Sequence, residues 1–273
     1  MTAAVREFAA GAAQVTVHAA AAAMSAAVAA QVAGVLAEAV ASRGGARVII
    51  GTGPSQAGFI AALVGHVEVD WSRVEVFHMD EYLGMPSTHP ASFRRWLRDH
   101  LTDHVHPRQV HELAGDAADP SLEAERYAAL LNAAPIDVSC VGFGENGHLA
   151  FNDPHVADFA DPLTVKLVAL DDRCRLQQVG EGHFPSLAES PAHALTVTLP
   201  ALMRAGTVVA CVPDLRKAEA VRAALEGPVA PVCPASLVRM HPRAFVHLDP
   251  EAASLLRPEA PVTSATDHTL LER

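Results

Sequence analysis

A chain of 273 residues, half of it apolar and 19% of it charged, is long enough for one large globular domain and too apolar to be disordered. Its formal net charge of -11 leaves no basic footprint for nucleic acid or an anionic membrane, so an anionic ligand must be met by local positive groups. The four cysteines, Cys140, Cys174, Cys211 and Cys233, lie far apart with no Cys-x-x-Cys pair, which argues against a zinc site and a disulfide framework.

Residues 1 to 12 show no periodic pattern and are expected to be loosely ordered, with a short strand following over Ala13–Val17. Ala19 to Ala41 has the composition of a long helix that stops near Gly44-Gly45. Its alanines, interrupted by Ser25, Gln31 and Glu38, lack the hydrophobicity of a membrane span, and the N-terminus carries no charged start with an apolar run and cleavage site. A cytoplasmic protein is therefore expected. Arg47–Ile50 reads as a buried strand that opens into Gly51-Thr52-Gly53-Pro54-Ser55 and an apolar helix to Val64. Free N–H groups at a helix start, with the Thr52 and Ser55 hydroxyls, suit a phosphate dianion. The spacing is neither a P-loop nor GxGxxG, so on pattern alone a plain strand-to-helix turn fits equally well.

Val74–Phe77 is the next strand and delivers His78, Asp80 and Glu81 at its carboxyl end. Adjacent carboxylates repel, and burial raises a carboxyl pKa toward the range of a useful base. Ser92 to His104 is amphipathic, with Arg94, Arg95 and Arg98 expected on its solvated face. A helix from Asp119-Pro120 to Leu131 leads to the β-branched segment Ile136–Val141, a strand buried on both faces. After it, Gly142 to Pro154 packs three glycines among Glu145, Asn146, His148, Asn152 and Asp153, as expected of a ligand-binding loop at a strand's carboxyl end. The polar, glycine- and proline-containing stretch from about 155 to 190 reads as a lid without a long regular element. Strands follow at Ala194–Leu199, Thr207–Val212 and Ala244–Leu248, Lys217 opens a helix, and the tail from about 258 is expected to fray. Alternating strands and helices predict a single α/β domain over residues 1–273, with a Rossmann-like open, mostly parallel sheet and helices on both faces.

The loop Gly142-Phe-Gly-Glu-Asn-Gly-His-Leu-Ala-Phe-Asn-Asp-Pro154 resembles the signature of the glucosamine-6-phosphate deaminase family, with Asp153 where that family usually has Glu. Phe77-His-Met-Asp-Glu-Tyr82 resembles a second family motif, with His78 in place of Asn, and the likeness runs colinearly over roughly residues 45 to 250. It implies a phosphorylated amino sugar as substrate, no cofactor and no metal, and leaves a homo-oligomer open. By resemblance Asp80 is the proton-moving base, His148 helps open the sugar ring, and Asn146 and Asp153 orient it. Gly51, Thr52, Gly53, Ser55, Glu81, Gly144, Arg173 and Lys217 are the implied substrate and phosphate contacts. The family's phosphate-binding arginine aligns with Gln178, so the phosphate grip departs from the pattern. Thr198-Leu-Pro-Ala-Leu202 and Pro234-Ala-Ser-Leu-Val238 look like the sister 6-phosphogluconolactonases, so lactone hydrolysis stays open, as does isomerisation or elimination on an N-acetylated sugar phosphate.

Overall fold

The computed structural model describes residues 4–257, so the expected frayed tail from residue 258 lies outside the described residues. The chain opens with a hairpin, β1 (Ala4–Ala10) and β2 (Ala13–His18), closed at Gly11 with φ 61°. The expectation of loose order is thus corrected for residues 4–12, residues 1–3 lying outside the described residues. Ala-rich β1 has little intrinsic strand preference and is held by its ladder to β2.

Helix α1 (Ala21–Arg43) ends at Gly44 in the left-handed conformation that glycine adopts without a Cβ penalty. Next come β3 (Ala46–Ile50), α2 (Pro54–Val64), β4 (Val74–His78) and the short β5 (Asp80–Tyr82). The predicted helix from Ser92 is α3 (Phe93–Leu97), a π-helical segment (Arg98–Thr102) and α4 (Asp103–Val105). Then follow β6 (Gln109–His111), α5 (Pro120–Asn132), β7 (Val138–Val141), β8 (Val165–Ala169), α6 (Asp172–Gly180), β9 (His193–Val197), α7 (Leu199–Met203), β10 (Thr207–Val212), α8 (Ala218–Glu226) and β11 (Ala244–Leu248).

Eight strands form the main sheet in the order β1-β2-β11-β10-β7-β3-β4-β6, parallel throughout except for β1. Alternate strand residues feed two cores. Ile49, Phe77, Val208 and Ala210 pack toward α5, α7 and α8, whereas Val48, Ile50, Val76 and Val209 pack toward α1 and α2. Burial on both faces explains why these strands read as continuous apolar runs. Helix α1 is long and apolar enough to cross a membrane, but here it buries Met24, Val28, Val32 and Leu36 in the second of these cores.

A second, antiparallel sheet, β5-β9-β8, was not foreseen. It builds regular structure into the stretch from 155 to 190, which carries β8 and α6 rather than an unbroken irregular segment. Among the described residues all four cysteines are free and buried.

Candidate active site

The chain winds outward from β3 through β4 to β6, returns to β7 beside β3, and then winds the other way through β10 and β11. A crevice is expected at such a reversal, outside the strands' carboxyl ends. A cleft of about 580 Å³, counted with its open mouth, lies there. The β3 turn is fastened to the end of β7 by the Gly51 N–H, which donates to the Cys140 carbonyl at 2.8 Å.

Strand β4 ends on a rigid carrier for Asp80. The His78 ring accepts the Leu113 N–H at Nε2 (2.9 Å), so the neutral imidazole carries its proton on Nδ1, which faces the Asp80 carbonyl at 2.9 Å. Burial pushes the His78 pKa down to about 4, which keeps it neutral in that role. The side chain whose function was open in the sequence therefore positions the backbone of Asp80. Asp80 lines the cleft at 6% exposure. Burial first, and then the neighbouring Glu81 charge, push its pKa well above the usual carboxylate range.

Glu81 itself turns away from the cleft. Its carboxylate accepts from Ser92 Oγ (2.7 Å), the Tyr82 N–H (3.0 Å), the Phe93 N–H (3.3 Å) and the Arg94 N–H (3.1 Å). It thereby caps the start of α3, a structural part, and does not line the cleft. Arg94, expected on a solvated face, is buried and lies 3.5 Å from Glu81 and 2.8 Å from Asp116. Glu81→Ala would leave the helix N–H groups without their acceptor and take from Arg94 one of its two carboxylate neighbours, and should destabilise the protein by about 2–4 kcal/mol, read as a lower urea midpoint. A midpoint equal to that of the unsubstituted protein would remove Glu81 from this role.

The loop after β7 supplies the next groups. His148 lies over Gly144, where an added Cβ would meet the imidazole at 2.2 Å. Gly147 has φ 82°, and a Cβ there would come within 2.8 Å of Cys233 Sγ. Asn152 fixes the loop's far side by donating to the Leu149 and Val197 carbonyls, each at 2.9 Å. Asn146 Oδ1 accepts the His148 N–H at 3.0 Å, while Asn146 Nδ2 donates to Asp153 Oδ1 at 2.9 Å. His148 Nδ1 stands 3.0 Å from the same Asp153 oxygen, close but at an angle that misses a straight hydrogen bond. Such bonds commonly tighten when substrate arrives. Burial raises the Asp153 carboxyl, but contacts from His148, Asn146 and the Asp171 N–H outweigh it and leave the pKa below the ordinary value. Asp153 thus stays an anion beside His148, outside the cleft wall.

His148, Asp153 and Cys174 also place donor atoms within 4.8 Å of one another. Burial first, and then Asp153, push the Cys174 thiol well up, so it is a poor source of the thiolate a metal would need.

Gly51, Thr52, Gly53 and Ser55 also line the cleft, as does Lys217. The turn leads into α2 at Pro54, whose fixed φ suits a first helical position, and Gly53 holds φ 98°. N–H groups at the start of this helix face an anion with the favourable end of its dipole. Lys217 is 2% exposed, and desolvation lowers its pKa although Glu181 and Glu145 act to raise it. Arg173 is not part of the cleft wall. Its side chain is 62% exposed and reaches the Glu145 carbonyl at 3.3 Å. In its place α6 and the residues after it contribute Gln177, Gln178, Glu181 and His183, of which only Gln178 was flagged by the sequence. Gln178 Oε1 accepts from the Tyr82 hydroxyl at 2.6 Å and so is already engaged.

Residues 19–246 match the family described as glucosamine-6-phosphate isomerases/6-phosphogluconolactonase. A glucosamine-6-phosphate deaminase of Exiguobacterium sibiricum is 35% identical over 201 residues, covering 74% of this chain and 78% of the relative. One from Pseudarthrobacter chlorophenolicus is 38% identical over 192 residues, covering 69% and 72%. The solved structure of a monomeric glucosamine-6-phosphate deaminase superposes with a TM-score of 0.80 at 27% identity, covering 88% of this chain and 99% of that one. A 6-phosphogluconolactonase from Shewanella baltica shares the fold, with a TM-score of 0.71 at 20% identity over 90% of this chain and 100% of its own. The chain belongs to the glucosamine-6-phosphate isomerase/6-phosphogluconolactonase family.

Proposed function

We propose that this protein is a deaminating aldose–ketose isomerase that converts D-glucosamine 6-phosphate and water to D-fructose 6-phosphate and ammonia, a step of amino-sugar catabolism. The observation that carries the reading is the buried Asp80 carboxylate, its pKa raised by burial and by Glu81, in one cleft with His148 and a lysine-bearing anion cradle. A strong base next to a sugar-phosphate site suits proton transfer at carbon more than direct hydrolysis. The deaminase relatives and the deaminase structure at 27% identity support the same reaction, and a cytoplasmic setting goes with it.

In this reading the Gly51–Ser55 turn and Lys217 bind the 6-phosphate and point the reducing end of the sugar toward Asp80 and His148. His148, held by the Asp153 anion and Asn146, moves the ring proton as the pyranose opens. Asp80 takes the proton from carbon 2 of the open-chain aldehyde as the carbonyl oxygen is protonated, giving an enolamine, and returns it to carbon 1 as the amine gives up a proton. The resulting imine at carbon 2 adds water and expels ammonia, leaving the ketose. The steps draw on no cofactor.

The test is a panel of kcat/KM values for glucosamine 6-phosphate, its N-acetyl derivative and 6-phosphogluconolactone. The amino sugar should be preferred over both. Turnover of the acetylated sugar or the lactone with no ammonia from the amino sugar would overturn the reading.

A further inference from the structure

The anion cradle already contains an anion. Glu181 lines the same cleft, and its Oε1 lies 3.7 Å from Lys217 Nζ, with the two side chains 7% and 2% exposed. It is the one carboxylate within 4.0 Å of Lys217 among the described residues. Gln177 Nε2 steadies the same oxygen at 2.9 Å, and His183 Nε2 stands 3.7 Å from the other. A buried ammonium without a partner is costly, so this carboxylate stabilises Lys217 while the cleft is empty. A phosphate dianion placed on Lys217 with Glu181 still there would face a like charge in a poorly solvated site. The two anions therefore compete for one cation.

The backbone around Glu181 is held, with the Glu181, Gly182 and His183 N–H groups donating to the Gln177, Val179 and Gln178 carbonyls at 2.9–3.0 Å, so displacement swings the Glu181 side chain. Gly180 and Gly182 flank it, and a Cβ added to either would meet nothing within 4 Å, so packing does not require a glycine at these positions. Gly182 holds φ 82°, a conformation that glycine adopts at no steric cost.

We infer that Glu181 is a tethered counter-ion that occupies Lys217 until a phosphate group displaces it, and so sets the affinity of the cleft for phosphate. The inference rests on the reading of Lys217 as a phosphate contact. A sugar hydroxyl brings no charge with which to displace the carboxylate, whereas a dianion attracts Lys217 more strongly than one carboxylate does.

Calorimetric titration with inorganic phosphate reads this without any turnover. Lys217→Ala should weaken phosphate binding at least about tenfold, and Glu181→Gln, which removes the competitor's charge, should tighten it about tenfold. Glu181→Asp, charged but shorter, should fall between the wild type and the glutamine variant. If Lys217→Ala weakens binding and Glu181→Gln leaves it unchanged or weaker, the counter-ion role is wrong and the phosphate assignment stands. If Lys217→Ala binds phosphate as the wild type does, the phosphate assignment falls and the inference with it. Phosphate titrations that follow the expected pattern with no ammonia released from glucosamine 6-phosphate would sink the proposed reaction alone.

Discussion

Asp80→Asn should lower kcat by about 10²–10⁴-fold while leaving the affinity for inorganic phosphate largely unchanged, because it removes the base without changing the volume of the site. The pH profile gives the same residue a second signature. Burial and Glu81 favour the protonated form of Asp80, so the active carboxylate appears only as pH rises past a value above the usual carboxylate range. The acid limb of kcat/KM should therefore lie above that range. Glu81→Gln, measured on folded protein, removes the neighbouring charge, makes ionisation of Asp80 easier and should move the limb to lower pH. A limb unmoved by Glu81→Gln would mean that another group controls it, and near wild-type turnover in Asp80→Asn would remove Asp80 as the proton carrier.

Gly144→Ala should cost about 10²-fold in kcat with only a small change in stability. The added methyl would sit 2.2–2.4 Å from three atoms of the His148 ring, far inside contact distance, so the imidazole must move. A displacement of about 1 Å in a catalytic group is enough for an effect of that size. The ring borders the cleft and has room to swing, so the fold should absorb the change, as a thermal melt would show. Unchanged kinetics would mean that the position of His148 is not critical to the reaction.

These expectations rest on parts of the molecule that were legible to different degrees. The parallel strands were readable because both faces are buried: Val48-Ile-Ile50 and Val208-Val-Ala-Cys-Val212 show it in their composition alone. The Gly142–Pro154 loop was readable because its glycines serve contacts that a Cβ would block, at His148 and at Cys233. The second sheet was not readable. Its β5 is three residues long and pairs with β9 more than a hundred positions away, and local pattern carries no record of such a partner. Helical periodicity misjudged Arg94, since an arginine on a polar face can still be buried when Glu81 and Asp116 meet it from outside its own helix. Glu181 and His183 were missed for a related reason. They sit in a polar, glycine-containing stretch, and only the fold brings them into the cleft that Lys217 also lines. Position 178 showed the lack of an arginine, and the structure adds what the cleft holds instead: a lysine already matched by a carboxylate.

The reaction itself is tested most directly by incubating the purified protein with glucosamine 6-phosphate and measuring ammonia and fructose 6-phosphate in the same samples over time. The two products should rise together in a one-to-one ratio, and both should be lost in Asp80→Asn. Folded wild-type protein that releases no ammonia from this substrate would contradict the deaminase assignment, whatever else the cleft binds.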